Sequence, residues 1–154
     1  MNLMASLGSA GKPKAHTLLR GFATNVANYQ PLGPACNSPG ALRLSDFCRQ
    51  SGYPPCCRDP CGVLDEYSEG NNELNFVQLL LREAFEAMPT VKLHFVIDTG
   101  RNGVDDVRHD CSNWCNIRGA GVGHGATTAT ALPEVDAYFW LKSEMQLSLV
   151  STGQ

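Results

Sequence analysis

Long apolar runs and an excess of positive charge are both missing from this 154-residue sequence. It has no run of about 18 consecutive apolar residues, the length a helix needs to span a bilayer, and its N-terminus has no apolar stretch long enough for a signal-peptide core. Its 12 Lys and Arg residues are outnumbered by 15 Asp and Glu, which gives a net charge of -3. Because phosphates and anionic lipids attract clustered positive charge, we expect neither a nucleic-acid partner nor a membrane partner.

The usual signatures of cofactor and metal sites are also absent. The alternating glycines from Gly119 to Gly125 lack the GxGxxG order of a dinucleotide site and the lysine of a P-loop. The cysteines form no CxxC pair, and no metal-ligand spacing relates the four histidines, His16, His94, His109 and His124. We therefore predict no cofactor and no metal. His94 lies in an apolar strand, which favours a hydrogen-bonded core imidazole over a ligand.

Cysteine, by contrast, is abundant, with seven in the chain. Such a density is most common where disulfides persist, and an odd number leaves at least one thiol unpaired. Five of them fall in a stretch rich in proline and glycine, residues 30–62, which has no steady period: Cys36, Cys48, Cys56, Cys57 and Cys61. We predict a long loop stapled by disulfides, with a zinc site and reduced thiols as the alternatives.

The remaining sequence has the periodicities of one α/β domain. A helix is predicted over residues 71–88, with Asn71 or Asn72 as its N-cap and Pro89 as its stop. Three strands are predicted, each leading into polar or charged side chains: residues 18–29, 91–101 and 134–142. Strands of this kind, with a helix between two of them, are typical of a parallel sheet whose carboxyl ends form a site, as in α/β barrels.

Four motifs in order resemble a known family: RGFATNVANYQP, HFVIDTGRNG, NWCNIRGAGVGHGATT and VDAYFWLK. They are similar to the C-terminal half of glycoside hydrolase family 6, the cellobiohydrolases and endoglucanases. The resemblance covers residues 19–142, except for a cysteine-rich stretch at about residues 31–70 that we interpret as an insertion. It implies that residues 1–154 form one partial catalytic domain, a partial distorted (β/α) barrel of the TIM type with parallel strands. It also implies a secreted enzyme that hydrolyses β-1,4-glucan with inversion.

Inverting hydrolysis needs two carboxyl groups on opposite sides of the sugar. In the family the general acid precedes the part that this sequence resembles. The second carboxylate follows the lysine of the last motif, and here Ser148 stands at its place. Glu144 substitutes for it only if the loop is rebuilt, because catalytic groups tolerate little displacement. A catalytically incompetent glucan-binding or vestigial protein is therefore the alternative to a hydrolase.

The resemblance also assigns sugar-binding roles to two residues. Trp114, in the WCN motif, corresponds to a tryptophan that stacks on a glucose ring, and an indole offers the broad apolar face that this needs. Its alternative is a core residue. Lys142 corresponds to a lysine that hydrogen-bonds sugar hydroxyls. Its alternative is an ordinary solvated lysine. The glycine run after Trp114 fits a wall lining a sugar channel, and a plain flexible loop is its alternative.

Three further residues are assigned to the substrate site. Arg101 resembles an arginine that pairs with the catalytic aspartate. Because Ser148 stands at that place, the arginine lacks this partner, and we expect its guanidinium to contact Asp98 or solvent instead. Asn25 and Asn28 either hold the cleft together, bind hydroxyls or form a turn. The predicted ligand is cellulose or a cello-oligosaccharide, and open strand edges predict self-association of the isolated chain.

Overall fold

The computed structural model describes residues 19–26, 28–38, 43–58, 70–105, 107, 117 and 119–141. Within these ranges the chain forms three strands, two α-helices and one 3₁₀ turn. In chain order they are β1 (Gly21–Thr24), α1 (Leu44–Gln50), the 3₁₀ turn (Pro55–Cys57), α2 (Glu73–Ala87), β2 (His94–Asp98) and β3 (Val135–Phe139). Neither described helix is long and apolar enough to cross a bilayer.

The three strands form one parallel sheet in the order β1, β2, β3. Phe22 of β1 is opposite Phe95 of β2, and Asp98 at the end of β2 is opposite Phe139 at the end of β3. The predicted parallel arrangement is confirmed, with helix α2 between β1 and β2. Closure of the sheet into a barrel stays a prediction. Because all three strands run the same way, their carboxyl ends lie together at one edge.

Helix α2 begins and ends as the sequence predicts. The Asn72 side chain accepts a hydrogen bond from the backbone N–H of Asn75 at 2.9 Å, so Asn72 is the N-cap. The backbone N–H groups of Glu73 and Leu74 donate to the carbonyls of Pro31 and Leu32, at 3.0 and 3.2 Å. The segment after β1 therefore satisfies donors that a helix N-terminus otherwise leaves without partners.

The core lies between α2 and one face of the sheet. Leu74 and Val77 of the helix pack in one cluster with strand residues that are almost fully buried: Phe95, Ile97, Val135 and Tyr138. Each such apolar side chain contributes roughly 1.5–3 kcal/mol when it is fully buried. This cluster fixes how α2 lies on the sheet and so positions the strand ends.

The cysteine-rich stretch departs from the predicted long loop, because it contains α1 and the 3₁₀ turn. Leu44 and Cys48, one helical turn apart, are the buried residues of α1, so a short apolar spacing inside the stretch was overlooked. The predicted stapling is confirmed by two disulfides, Cys36–Cys56 and Cys48–Cys57. Cys61, Cys111 and Cys115 lie outside the described residues.

The observed strands are shorter than predicted, and burial along β3 departs from the predicted alternation. β1 ends at Thr24 because Asn25 adopts a left-handed backbone with φ of 57°. On β3 the expected two-residue alternation does not set burial, since a register shift opposite Phe95 and Val96 brings both Val135 and Tyr138 into the core.

A charged cluster ties the three strands together near their amino ends. Arg20, just before β1, donates to both carboxylate oxygens of Asp136 on β3, at 2.7 and 2.8 Å. Hydrogen bonding from Arg20 holds the pKa of Asp136 below its usual value. Nδ1 of His94 lies 2.9 Å from Asp136 Oδ1. The predicted core position of His94 is wrong, because the residue is half-buried, and its hydrogen bonding stays a prediction.

Candidate active site at the carboxyl ends of the strands

Two polar side chains and one backbone N–H meet where the three strands end. Asn25 follows β1, Asp98 ends β2, and Leu141 lies two residues beyond β3. The segment between β2 and β3 folds back onto the end of β2, because Gly123 donates its N–H to the carbonyl of Thr99 at 2.9 Å. In a parallel α/β sheet this edge is where ligands bind.

Asn25 joins the end of β1 to the end of β2. Its Nδ2 donates to the carbonyl of Asp98 at 3.0 Å and to that of Gln30 at 3.1 Å, and its Oδ1 accepts from the N–H of Gln30 at 3.1 Å. The side chain is buried. These contacts join the turn after β1 to the end of β2, and the assignment of Asn25 to the substrate site stays a prediction.

Asn28 has a different environment. Its backbone N–H donates to the carbonyl of Asn25 at 2.9 Å and closes the turn after β1. Its side chain is half-buried, and the structure gives the amide no hydrogen bond to the parts of the chain described here. Its assignment to the substrate site stays a prediction.

Asp98 holds the end of β2 to the segment after β3. Its Oδ1 accepts from the N–H of Gly100 at 2.9 Å and from the N–H of Leu141 at 3.2 Å. The residue is almost fully buried. A carboxylate that accepts from two backbone N–H groups orients the start of the segments after β2 and β3. The second of these segments leads directly from Leu141 to the position of Lys142.

Arg101 lies elsewhere than expected. Its side chain is buried and its Nη1 donates to the hydroxyl of Tyr29 at 3.1 Å, with the guanidinium carbon 5.5 Å from the centre of the Tyr29 ring. The expectation that it is left to Asp98 or solvent is wrong, because Tyr29 provides both a hydrogen-bond acceptor and an aromatic face. Sequence analysis did not single out Tyr29. The sequence feature that could have indicated Tyr29 is its place in the first motif, four residues after Asn25.

The Tyr29 hydroxyl also reaches the glycine run. It accepts from the backbone N–H of Ile117 at 2.9 Å, so one phenol ties the segments after β1 and β2 to the residues before Gly119. The run itself packs against the segment after β2 through backbone hydrogen bonds between Gly103 and Gly121 and between Val104 and Ala120. These contacts favour a packed wall over a plain flexible loop.

At two positions of the run a side chain would be strained or would clash with neighbouring atoms. Gly121 has a φ of 70°, in the left-handed region. At Gly123 an added Cβ would overlap the Asn102 side chain and the carbonyl of Thr99. The glycines thus allow the run to lie directly on the segment that follows β2.

Trp140 is a second aromatic residue at the strand ends that sequence analysis missed. Its Nε1 donates to the carbonyl of His124 at 2.7 Å, and Thr99 Oγ1 donates to the same carbonyl at 2.6 Å. One edge of the indole is therefore fixed while 48% of the residue remains exposed. Its position two residues before Lys142 was the signal in the sequence.

Glu73 is a buried carboxyl group close to the strand ends. It begins α2, is 3% exposed, and burial raises its pKa to about 7. A perturbed carboxyl often marks a reactive site. This one is enclosed rather than open to a cleft, so the geometry supports a structural role.

Four residues assigned from the sequence lie outside the described part of the chain: Trp114, Lys142, Glu144 and Ser148. Their roles stay predictions. Among the described residues, Asn25 and Asp98 meet at the strand ends, Arg101 contacts Tyr29, and Asn28 lies in the turn after β1. Neither a catalytic acid nor a catalytic base is identified within the described ranges.

The sequence matches the model of one protein family, Glycosyl hydrolases family 6, over residues 2–146. It is 33% identical over 136 residues to Exoglucanase 3 of Agaricus bisporus, covering 86% of this chain and 24% of that protein. It is 36% identical over 135 residues to a probable 1,4-beta-D-glucan cellobiohydrolase C of Aspergillus terreus, covering 86% and 22%. The chain thus spans about a quarter of the length of these relatives.

Solved structures agree with this similarity. A catalytic domain complexed with p-nitrophenyl beta-D-cellotrioside aligns with a TM-score of 0.55 and 31% identity, covering 80% of this chain and 27% of that one. An endoglucanase from Humicola insolens aligns with a TM-score of 0.53 and 26% identity, covering 79% and 28%.

Proposed function

We propose that this chain, which belongs to the Glycosyl hydrolases family 6, takes part in the hydrolysis of β-1,4-glucosidic bonds in cellulose or a related β-glucan. The observation that carries the proposal is the family match over residues 2–146. The printed names of the relatives, an exoglucanase and a 1,4-beta-D-glucan cellobiohydrolase, support glucan as the substrate. The polar strand ends agree with a site at this edge of the sheet.

The proposed role of the described residues is to shape the site rather than to transfer protons. Asn25 and Asp98 fix the three strand ends, and the Arg101–Tyr29 contact fixes the segments above them. On this framework Trp114 stacks on a sugar ring, while Lys142 and Asn28 hydrogen-bond its hydroxyls. A fixed framework favours binding because less conformational freedom is lost when the glucan docks.

Inverting hydrolysis requires two carboxyl groups about 6.5–9.5 Å apart, one protonating the leaving oxygen and one activating water. Asp98 already accepts two backbone hydrogen bonds, and Glu73 is enclosed. The proposal therefore places the acid and the base in parts of the enzyme other than the described residues. Two disulfides support a secreted protein, since disulfides persist in oxidising compartments.

A catalytically incompetent glucan-binding protein is the second candidate function. The observation that favours it is Ser148, which stands where the family resemblance expects the second carboxylate. A serine hydroxyl cannot serve as the general base in the way a carboxylate does. In this case the same framework binds glucan without cleaving it.

One experiment tests both functions on the 154-residue chain. Cellotriose and cellohexaose are titrated calorimetrically, and reducing ends released from cellohexaose are measured in parallel. Binding with release shows that this chain itself supplies the acid and the base, and binding without release supports the second candidate for the chain taken alone. No binding of either sugar contradicts both.

The variant that tests the sugar platform is Trp114→Ala. Loss of a stacking indole is expected to weaken binding of both sugars roughly tenfold, because aromatic stacking adds to the apolar contact area. Phe85→Ala is the matched control, since Phe85 is an exposed aromatic residue on α2. If the two variants bind the sugars with equal affinity, Trp114 is not part of the sugar site.

A further inference from the structure

A cavity of about 210 Å³ lies between the cysteine-rich stretch and the segments that follow β1 and β2. Its walls carry the pyrrolidine rings of Pro31, Pro34 and Pro55 and the side chains of Arg58, Asn72 and Asp105. None of these residues was assigned to a site from the sequence.

The cavity lies on the carboxyl side of the sheet. Pro31 and Pro34 follow β1, Asp105 follows β2, and Asn72 caps the N-terminus of α2, which in a β-α unit lies next to the end of the preceding strand. Larger cavities of about 330 and 530 Å³ lie instead along α2, lined by residues such as Gln78, Arg82 and Met88. The smaller cavity therefore shares its side of the sheet with the proposed glucan site.

The walls of the cavity are held in place. Asn72 Nδ2 donates to the carbonyl of Pro34 at 3.2 Å, and Asn71 Nδ2 donates to the carbonyls of Cys56 and Arg58, at 3.0 and 2.6 Å. The disulfides Cys36–Cys56 and Cys48–Cys57 restrain the backbone directly after Pro55. A wall fixed before binding loses little conformational freedom when a ligand enters.

The chemistry of the walls is that of a sugar site. Pyrrolidine rings offer apolar surface to the C–H face of a pyranose, and Arg58 and Asp105 offer donors and acceptors for its hydroxyls. The volume is below the roughly 300–1,000 Å³ of pockets for drug-sized ligands, which suits a single sugar ring. The uncharged prolines, together with one positive and one negative side chain, disfavour a strongly charged ligand.

The helix N-terminus beside the cavity does not make it an anion site. The first two N–H groups of α2 are already committed to the carbonyls of Pro31 and Leu32. Asp105 adds a negative charge to the wall. The wall thus carries one positive and one negative side chain, Arg58 and Asp105, a balance that suits an uncharged sugar better than an anion.

We propose that this cavity is an additional glucosyl-binding subsite, in which Arg58 and Asp105 hydrogen-bond the hydroxyls of one sugar unit of a longer β-glucan. The cysteine-rich stretch thereby extends the site, so that chains of six glucose units bind more tightly than chains of three. This inference rests on the proposed function, because it takes β-glucan as the ligand.

The test compares cellotriose with cellohexaose by isothermal titration on the full chain and on Arg58→Ala and Asp105→Ala. Each variant is expected to weaken cellohexaose binding roughly tenfold, the cost of a lost hydrogen bond to a charged group. Cellotriose binding is expected to stay unchanged. Asp105→Asn, which still accepts and donates hydrogen bonds, is expected to restore most of the affinity lost in Asp105→Ala.

The matched controls are Arg49→Ala on α1 and Glu86→Ala on α2, whose residues are exposed and do not line the cavity. Arg58 and Asp105 are also exposed, and melting temperatures equal to that of the parent chain confirm that their variants fold. Equal parent affinity for both sugars, or cavity variants that bind like the controls, overturns the subsite and leaves the proposed function standing. Parent chain that binds neither sugar overturns both.

Discussion

Single side chains hold the strand ends in position, and Asn25 does so through both backbone and amide. Its left-handed conformation ends β1, and its side chain bonds the carbonyls of Asp98 and Gln30. Asparagine tolerates this conformation better than most residues, and it also carries the donors that the carbonyls need. The two properties together explain why this position requires an amide.

Asn25→Ala, which removes three side-chain hydrogen bonds, is therefore expected to lower the free energy of unfolding by about 4–5 kcal/mol. Each lost hydrogen bond costs about 1 kcal/mol and the left-handed backbone adds about 1–2 kcal/mol for alanine. Asn25→Gly is expected to cost less, since glycine removes the backbone penalty. Urea denaturation measures the difference, with Asn37→Ala, at an exposed position, as the control. Equal stability of the alanine and glycine variants would contradict the backbone contribution.

Glu73 makes stability depend on pH. Its pKa is raised from 4.5 to about 7 by burial, so the folded chain keeps a proton that the unfolded chain has released. The free energy of unfolding should consequently fall as pH rises from 4.5 to 7, by up to about 3 kcal/mol, and then level off.

Glu73→Gln is expected to flatten this dependence, because the amide resembles the protonated acid and never ionises. Urea unfolding at intervals between pH 4.5 and 7 checks it. Glu86→Gln, on the exposed side of the same helix, should keep the parent slope. A parent slope retained in Glu73→Gln would show that other groups cause the dependence.

At the scale of elements, the cysteine-rich stretch depends on covalent links more than on its own helix. Helix α1 has seven residues, too few for independent stability in water. Its buried Cys48 is bonded to Cys57 of the 3₁₀ turn, and Cys36 is bonded to Cys56. These links, with the asparagines at the start of α2, position the cavity wall.

Replacing both members of one disulfide by serine tests this dependence. By loop entropy, the Cys48–Cys57 link, with a sequence separation of 9, contributes about 2.6 kcal/mol, and the Cys36–Cys56 link, with a separation of 20, about 3.3 kcal/mol. Hydrogen exchange should show faster exchange in α1 for either double variant and unchanged exchange in β2. Loss of protection throughout the sheet would contradict a local role.

At the scale of the whole molecule, apolar surface lies open at the end of the sheet. Phe139, Trp140 and Leu141 are consecutive, and each is 47–48% exposed. β1 and β3 are the outer strands of the three-stranded sheet. Exposed apolar residues beside a strand at the edge of a sheet favour association.

The isolated chain is therefore expected to self-associate. Sedimentation velocity should show oligomers in the parent chain and a smaller oligomeric fraction in Phe139→Ser. Phe85→Ser removes an exposed phenylalanine from α2 and should leave the distribution unchanged. A monodisperse monomer that melts cooperatively would contradict the prediction.

The sequence by itself determined the elements whose signals are local. Helix α2, with its Asn72 cap and the proline after it, follows from residues close together in the chain, and so does the family through its four motifs. The parallel sheet followed from polar residues at successive strand ends. The short helix α1 was missed because its apolar spacing spans only one turn and is obscured by prolines and cysteines nearby.

Only the tertiary structure decided which residues meet. The partner of Arg101 is Tyr29, 72 positions away, and the disulfides are chosen from many pairings by proximity in the fold. Burial along β3 depends on a register shift against β2, which no pattern within β3 encodes. The sugar cavity likewise exists only because the segments after β1 and β2 fold back onto the start of α2. Local signals fix elements because they act within a few residues, whereas contacts between distant segments depend on how the whole chain packs.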